Sequence, residues 1–393
     1  MAYGTGRLSH MTTVQTLAGK QVVVAVTGSI AAVEIVRLIH SLRRCGAEVQ
    51  AVMSEAATGI ISSDSLTYAS GRPAITRISG MVEHVTYCGD GGSADLLLIA
   101  PCTANTLSKI ACGIDDTPVT TFATTALGSG MPVLIVPAMH DSMYRHPAVR
   151  GNLECLRAWG IQVIDPRIEE GKAKIADIET IVLWSERMIL GNTLKGKHVL
   201  ITSGPCREPV DDIRVLTTRS TGLMGRALAL EAFRLGADVT VVHRDVFPCV
   251  TNVRIDSADD MRKAVHRCFA DRGADIYISA AAISDFAPKK FKGKIPSGEK
   301  TCVDLEPLPK LLDDILRKWA PFTVAFKLGN EPRGQAEQML VNGVGMVLMN
   351  SPETMGSAEG EYMLLSAHGQ ETLKGSKSAI AHWFWKELTG ILH

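Results

Sequence analysis

The feature that most restricts this chain is a short apolar run, Leu96 to Ala100, that breaks at Pro101. A run of this length with no polar interruption reads as a strand buried on both faces, the kind found in parallel sheets covered by helices on either side. A small polar turn, Cys102-Thr103-Ala104-Asn105, follows it. Leu107, Ile110 and Ala111 then recur at helical spacing until Gly113 stops the helix. The turn therefore lies at the carboxyl end of a strand and the amino end of a helix. Open α/β sheets bind ligands at such points, and the free N–H groups of a helix start favour phosphate. An ordinary turn with no ligand has the same spacing.

The pattern recurs. Gln21 to Val26 is a β-branched run ending in Thr27-Gly28-Ser29; Ile35, Leu38, Ile39 and Leu42 mark an amphipathic helix closed by Gly46, and Val49 to Met53 is a strand. This opening is not a dinucleotide fingerprint, because Gly28 is the sole glycine of its turn and Ser54 stands where an NAD site wants a carboxylate. Val133 to Val136 is another buried strand, with Pro137-Ala138-Met139-His140 at its carboxyl end. Pro166 to Ala176 reads as a loop whose Lys172 and Lys174 are either solvated or functional. His84 stands at a strand start, and Ile178 to Leu190 forms a closing helix.

Gly191 to Lys197 is polar and Gly-containing, as suits a domain boundary. After it the pattern restarts. His198 to Ile201 is a strand; Met224, Leu228, Ala232 and Leu235 mark a helix; Gly236 ends it before the strand Val239 to Val242. Arg44-Cys45-Gly46-Ala47-Glu48-Val49 and Arg234-Leu235-Gly236-Ala237-Asp238-Val239 echo one another, as two doubly wound domains using one helix-to-strand connection would. Ile276 to Ser279 leads into Ala280-Ala281-Ala282-Ile283-Ser284-Asp285-Phe286, and Lys289 to Lys294 crowd a Gly/Pro-broken loop. Val324 to Lys327 and Val347 to Asn350 are further strand ends, and an amphipathic helix runs from Lys377 to Leu392. The expected domains are residues 20–193 and 194–393. Residues 1–19 are expected to be disordered or non-native, with Met11 a candidate start.

Composition narrows the function. In 393 residues, 41 basic side chains balance 41 acidic ones, so no global field recruits nucleic acid or an anionic membrane, and any anionic substrate must be held by local groups. Nine cysteines without a CxxC pair read as reduced, mostly buried thiols of a cytoplasmic protein. No apolar stretch is long enough to span a bilayer.

Ala100-Pro101-Cys102-Thr103-Ala104-Asn105 and its helix, with His84 upstream and VPAMHDSMYRHP at residues 136–147, resemble the FMN-dependent phosphopantothenoylcysteine decarboxylases. From about Leu194 the chain resembles phosphopantothenate–cysteine ligase. The whole is similar to the bifunctional enzymes of coenzyme A synthesis, and its PAMH and EEGKAK variants to archaeal members. The resemblance implies two Rossmann-like domains, a flavodoxin-like flavoprotein followed by a ligase. It implies FMN contacts at Gly28, Ser29, Ile30, Ser54, Thr103 and Ala104. His84 would accept or position the proton beside the substrate thiol, with Asn105 and His140 on the substrate carboxylate. In the ligase half it implies CTP contacts at Ser220, Gly222, Ala281, Ala282, Asp285, Lys294, Phe326 and Lys377, with Asp285 near Mg²⁺ and Thr218 handling the acyl-nucleotide. The implied substrates are 4′-phosphopantothenate and cysteine, and the implied assembly is a homo-oligomer, with trimers through the first domain and dimers through the second.

The chain departs from the family pattern at His140 and Thr218, where asparagine is usual, at Leu223, often lysine, and in a flap without its cysteine. Histidine can donate a hydrogen bond as the amide does, whereas Thr218 offers one hydroxyl. Two rivals are a lapsed flavoprotein-like binding or regulatory module, and an NAD(P)-dependent oxidoreductase, the latter disfavoured by the absence of GxGxxG in both first turns.

Overall fold

The computed structural model describes residues 9–11, 14–298, 300–329 and 332–392, and the chain divides into two compact units, Gln15–Leu190 and Gly191–His393 with the N-terminal residues to Val14. In the first unit β1 (Gln21–Val26), β2 (Glu48–Met53), β3 (Leu96–Cys102), β4 (Val133–Pro137) and β5 (Gln162–Val163) pair in parallel in the order β2-β1-β3-β4-β5. This is the flavodoxin-like order, whose switch point lies between β1 and β3.

Among the connecting helices are α1 (Ile35–Arg44), α2 (Glu83–Cys88), α3 (Ala104–Ala111), α4 (Pro118–Gly128), α5 (Pro147–Ala158) and α6 (Ile178–Leu190). Side chains alternate across the sheet and account for the unbroken apolar runs. Val22, Val24, Leu96 and Leu98 pack under α1 and α6, while Val23, Ala25, Leu97 and Ile99 pack under α3, α4 and α5.

The expected disordered segment needs correction where it is described. Leu17 is fully buried in the first core, and its N–H donates to Cys45 O at 2.7 Å. One apolar side chain among polar neighbours carries no periodicity, yet burying it contributes roughly 2 kcal/mol. Ser9–Met11 forms a strand, and residues 1–8 and 12–13 of that expectation lie outside the described residues.

The second unit begins with β6 (His198–Thr202), β7 (Asp238–His243), β8 (Thr251–Arg254), β9 (Ile276–Ser279), β10 (Phe322–Leu328) and β11 (Met346–Asn350), parallel and ordered β8-β7-β6-β9-β10-β11. That is the doubly wound nucleotide-fold order, with its switch point between β6 and β9. Antiparallel β12 (Glu359–Ser366) and β13 (Gly369–Ser376) extend the sheet, and Ser9–Met11 pairs parallel to β13 at its edge.

Helix α7 (Leu223–Arg234) and the C-terminal α9 (Lys377–Leu392) pack together, the Trp385 indole donating to Leu228 O at 2.9 Å. Helix α8 (Ala258–Asp271) sets Met261, Val265 and Phe269 against Leu200, Val242 and Tyr277. The echoed sequences do the same work in both units: Gly46 and Gly236 turn the chain from helix to strand at φ +95° and +97°, which a Cβ would oppose.

Candidate functional site

In the first unit two strand-end loops meet at the switch point. Thr27 is buried; its hydroxyl donates to Pro101 O at 2.7 Å and accepts from the Thr103 N–H at 3.0 Å, locking the β1 and β3 loops together. Gly28 serves a packing need, since a Cβ there would lie 2.5 Å from the Ala56 Cβ. The candidate hydroxyls all cap helices. Ser29 accepts from Ala31 N (3.5 Å), Ser54 from Ala57 N (3.3 Å) and Thr103 from Thr106 N (3.2 Å). Three helix starts thus follow three adjacent strands, and their remaining N–H groups suit an anion.

His140 caps the helix Asp141–Tyr144. The Ser142 N–H donates to its Nδ1 at 3.3 Å, and the Ser142 hydroxyl lies 2.8 Å from the same atom. Nδ1 is therefore an acceptor, and the neutral ring carries its proton on Nε2. His140, Ser29 and Ile30 line a cleft of about 740 Å³ together with Arg167, Lys172 and Lys174. That volume suits a cofactor-sized ligand.

The segment from Pro166 to Ala176, expected as a loop, is a β-hairpin of Arg167–Glu169 and Lys172–Lys174 that also pairs with Met139–His140. Its two turn residues, Glu170 and Gly171, have φ +52° and +69°. Positive φ at both central positions is what a tight two-residue hairpin requires, and glutamate in the first of them masked the signal.

His84 sits in α2, not at a strand start. Its Nδ1 is buried with no hydrogen-bond partner among the described residues, and its ring meets Phe122 of α4 edge-on at 6.5 Å. Val82, immediately before α2, holds a left-handed φ of +47°, a strained setting for a β-branched residue. Neither His84 nor Asn105, exposed on the first turn of α3, lines the cleft. Ala104 is buried under that same turn.

In the second unit a smaller cleft, about 140 Å³, forms at the switch point and gathers Ser220, Gly222, Ala281, Ala282, Phe326 and Lys377. Glycines close it. Gly204 and Gly222 have φ +75° and +70°, and a Cβ on Gly225 would fall 2.1 Å from the Ser203 Oγ. A loop separates the first glycine from the other two, so the spacing matches no compact motif. Lys377, at the start of α9, is 8 % exposed, and burial pulls its ammonium below the usual lysine range.

The other ligase candidates lie elsewhere. Thr218 donates to Ala282 O at 3.4 Å, and the Ala282 N–H is taken by Gly204 O at 2.9 Å. Asp285 is ion-paired with Lys310. Among the described residues no group of three His, Cys, Asp or Glu side chains is placed to hold a metal, so Asp285 does not sit in a protein cage for Mg²⁺.

Lys294 is exposed on a loop pinned by two aspartates. Asp211 accepts from Ile295 N at 3.0 Å and Ile213 N at 2.8 Å, and Lys290 pairs with Asp212 at 3.0 Å. Burial pushes the Asp211 carboxyl up, but the N–H bonds from Ile295, Arg214 and Ile213 outweigh it and hold the carboxyl well below its usual range. Sequence reasoning missed Thr354, Met355 and Tyr362, which also line the cleft. They come from the β11-to-β12 region, whose only signal was the strand end at Asn350.

The cysteines also differ from expectation. Cys88, Cys102 and Cys206 are buried, with burial raising their thiols to about 12 or above, whereas Cys112 and Cys302 are exposed. No helix among the described residues is long and apolar enough to cross a membrane.

Comparison with known proteins adds independent findings. Residues 10–189 match the Flavoprotein family, and residues 194–391 match the DNA/pantothenate metabolism flavoprotein C-terminal domain. Coenzyme A biosynthesis bifunctional protein CoaBC of Thermococcus kodakarensis is 42% identical over 98% of this chain and 99% of its own. The protein of that name from Methanocaldococcus jannaschii is 34% identical over 93% of this chain and 92% of its own, and that from Escherichia coli K12 is 32% identical over 79% and 80%.

Proposed function

The chain belongs to the CoaBC family of bifunctional coenzyme A biosynthesis proteins, and we propose that its two units divide that work at their switch points. The second unit ligates cysteine to 4′-phosphopantothenate, and the first decarboxylates the product, 4′-phosphopantothenoylcysteine, to 4′-phosphopantetheine. The observation that carries the reading is Lys377: a buried ammonium shares one cleft with the amino end of α7, an arrangement that asks for a polyanion.

In the ligase cleft the nucleotide is CTP. Lys377 and the first N–H groups of α7, beside Ser220 and Gly222, hold its phosphates, Phe326 stacks near the base, and the Ala281 backbone, whose N–H makes only a long 3.5 Å bond to Thr202 Oγ1, faces the base edge. The substrate carboxylate attacks the α-phosphorus and expels pyrophosphate; the cysteine amine then attacks the acyl carbon and expels CMP, so a poor acyl donor becomes a good one. The Lys294 loop supplies further positive charge, and Thr218 offers its single hydroxyl near the acyl-nucleotide. Asp285, tied to Lys310, does not bring a ready set of ligands to Mg²⁺.

The first unit fits FMN in the size of its cleft, which Ser29 and Ile30 line, and in the helix starts that follow Ser54 and Thr103; Gly28, Ser54, Thr103 and Ala104 do not themselves line that cleft. When bound, FMN supplies a redox centre that takes up and returns the two electrons that make loss of CO₂ possible. The protein's part is positional. The Nε2–H of His140 orients the substrate carboxylate from the cleft; Asn105 and His84 lie outside that lining, and on this reading the substrate reaches past it to the Asn105 amide and to His84, whose orphaned Nδ1 accepts or positions the thiol proton. The chain self-associates as trimers through the first unit, where Tyr68 and Met81 are exposed apolar side chains, and as dimers through the second. The setting is cytoplasmic.

A coupled assay tests the whole: supply 4′-phosphopantothenate, cysteine, CTP and Mg²⁺, and follow pyrophosphate and CO₂ separately. Both products are expected from the wild type, and His84→Asn should lose CO₂ alone. Loss of both in a well-folded variant would refute the division of labour.

A further inference from the structure

The hairpin that walls the first cleft carries charges whose pairing is uneven. Antiparallel register sets His140 opposite Lys172, and Lys172 opposite Glu169. Directly opposed residues, and residues two apart along a strand, project to one face of a sheet. Arg167, Lys172, Lys174 and His140 therefore share the face that lines the cleft.

Two of the cations on that face are already committed. Arg167 pairs with Glu169 at 3.4 Å and Asp177 at 3.1 Å. Lys174 pairs with Glu170 at 3.0 Å and Glu169 at 3.2 Å, bonds that hold its ammonium above the usual lysine range. Lys172 makes no ion pair or side-chain hydrogen bond to any described residue, and it acts on Glu170 only through its longer-range field. Beside it, the cap at Ser142 consumes Nδ1 of His140 and leaves Nε2–H pointing away from the cap. A cleft face thus presents one uncommitted ammonium and one uncommitted N–H donor on opposed positions of adjacent strands.

We propose that Lys172 is a specificity-determining residue that recognises an anionic group of the decarboxylase substrate, with His140 as its neighbouring donor; this rests on the function proposed above. The group is a carboxylate or a phosphate, both of which 4′-phosphopantothenoylcysteine carries. The two sources differ in kinetic effect. A phosphate keeps its charge throughout the reaction, so an ammonium bound to it lowers KM and leaves kcat alone; an ammonium on the departing carboxylate holds the ground state and restrains kcat.

The test compares wild type, Lys172→Ala and Lys172→Arg in CO₂ release from the substrate and from its dephosphorylated form, with cysteine ligation followed in the same protein. Lys172→Ala should raise KM about tenfold, as loss of a solvent-screened charge-assisted bond implies, and Lys172→Arg should restore it. A rise confined to the phosphorylated substrate assigns Lys172 to the phosphate, and a rise for both forms assigns it to the carboxylate. Unchanged KM for both forms with normal CO₂ release would overturn the proposal while leaving the function standing. Parallel loss of ligation would reduce Lys172 to a structural residue and overturn it too. No CO₂ from the wild type would remove the function and this assignment together.

Discussion

Lys377→Met separates the cost of a buried cation from its use. Lys377 is 8 % exposed, and its ammonium lies in a cleft with no carboxylate among the lining residues. Methionine has similar reach and no charge. Losing a charge-assisted contact to a phosphate removes roughly 1.5–3 kcal/mol, so CTP should bind about 10- to 150-fold more weakly. The nucleotide-free protein should move the other way. Replacing an unpaired buried cation with an apolar side chain removes a desolvation penalty, taken as about 1 kcal/mol at a cleft wall, which raises Tm of a unit this size by roughly 2–4 °C.

The pH dependence follows from the depressed pKa. Below the folded value both states hold the proton and the penalty is fully present; as pH climbs towards the unfolded value of 10.5 the folded lysine sheds its charge first and the penalty fades. The Tm gap between the two proteins should therefore narrow as pH approaches 10.5. Titration calorimetry with CTP and thermal melts without it measure both effects. Wild-type affinity in the variant, or a Tm lowered by several degrees without nucleotide, would refute the reasoning, the second because it would mean that the ammonium has a partner in the free protein.

Three further outcomes are expected. His140→Asn should retain CO₂ release, since an amide oxygen can accept from Ser142 N while its NH₂ takes over the role of Nε2–H; His140→Ala loses both and should lower kcat/KM for CO₂ release at least tenfold, as loss of an N-cap plus a substrate hydrogen bond implies, leaving ligation intact. Gly225→Ala sets a Cβ 2.1 Å from the Ser203 Oγ; overpacking of about 1–3 kcal/mol, less roughly 1 kcal/mol of helix propensity, should lower Tm by a few degrees, and the displaced loop should raise KM for CTP. Asp211→Asn should free the Lys289 to Lys294 loop, seen as faster tryptic cleavage there. Because the Asp211 pKa is depressed, the wild-type clasp holds at all pH above the usual carboxylate value of 3.8 and fails only as pH falls below it.

The sheets were legible because parallel strands buried on both faces leave unbroken apolar runs and their helices leave a clear period. Leu96 to Ala100, the Gly46 and Gly236 connections and the strand Ile276 to Ser279 all follow from that. The antiparallel extension, β12 and β13, was not legible: it is half-buried and its Glu361-Tyr362-Met363-Leu364-Leu365 stretch neither alternates nor runs long. Tyr362 reaches the second cleft from that hairpin, across a distance in sequence that no local pattern records. The hairpin at Glu170-Gly171 was hidden by its turn residue, and α2 is too short for its period to be told from a strand.

The two unusual substitutions are not equivalent. At His140 the local job is to cap a helix with an acceptor and to present a donor on the far side, and an imidazole in the Nε2–H form does both, as an amide does. At Thr218 a single hydroxyl replaces an amide, and its proton is directed to Ala282 O at 3.4 Å. An amide could hold that carbonyl with one N–H and still offer a second N–H and an oxygen to the acyl-nucleotide; the threonine must break its bond to offer a donor. On the proposed mechanism the charge that develops there falls instead to cations whose positions are fixed by other means, Lys377 by burial and the Lys294 loop by the Asp211 clasp.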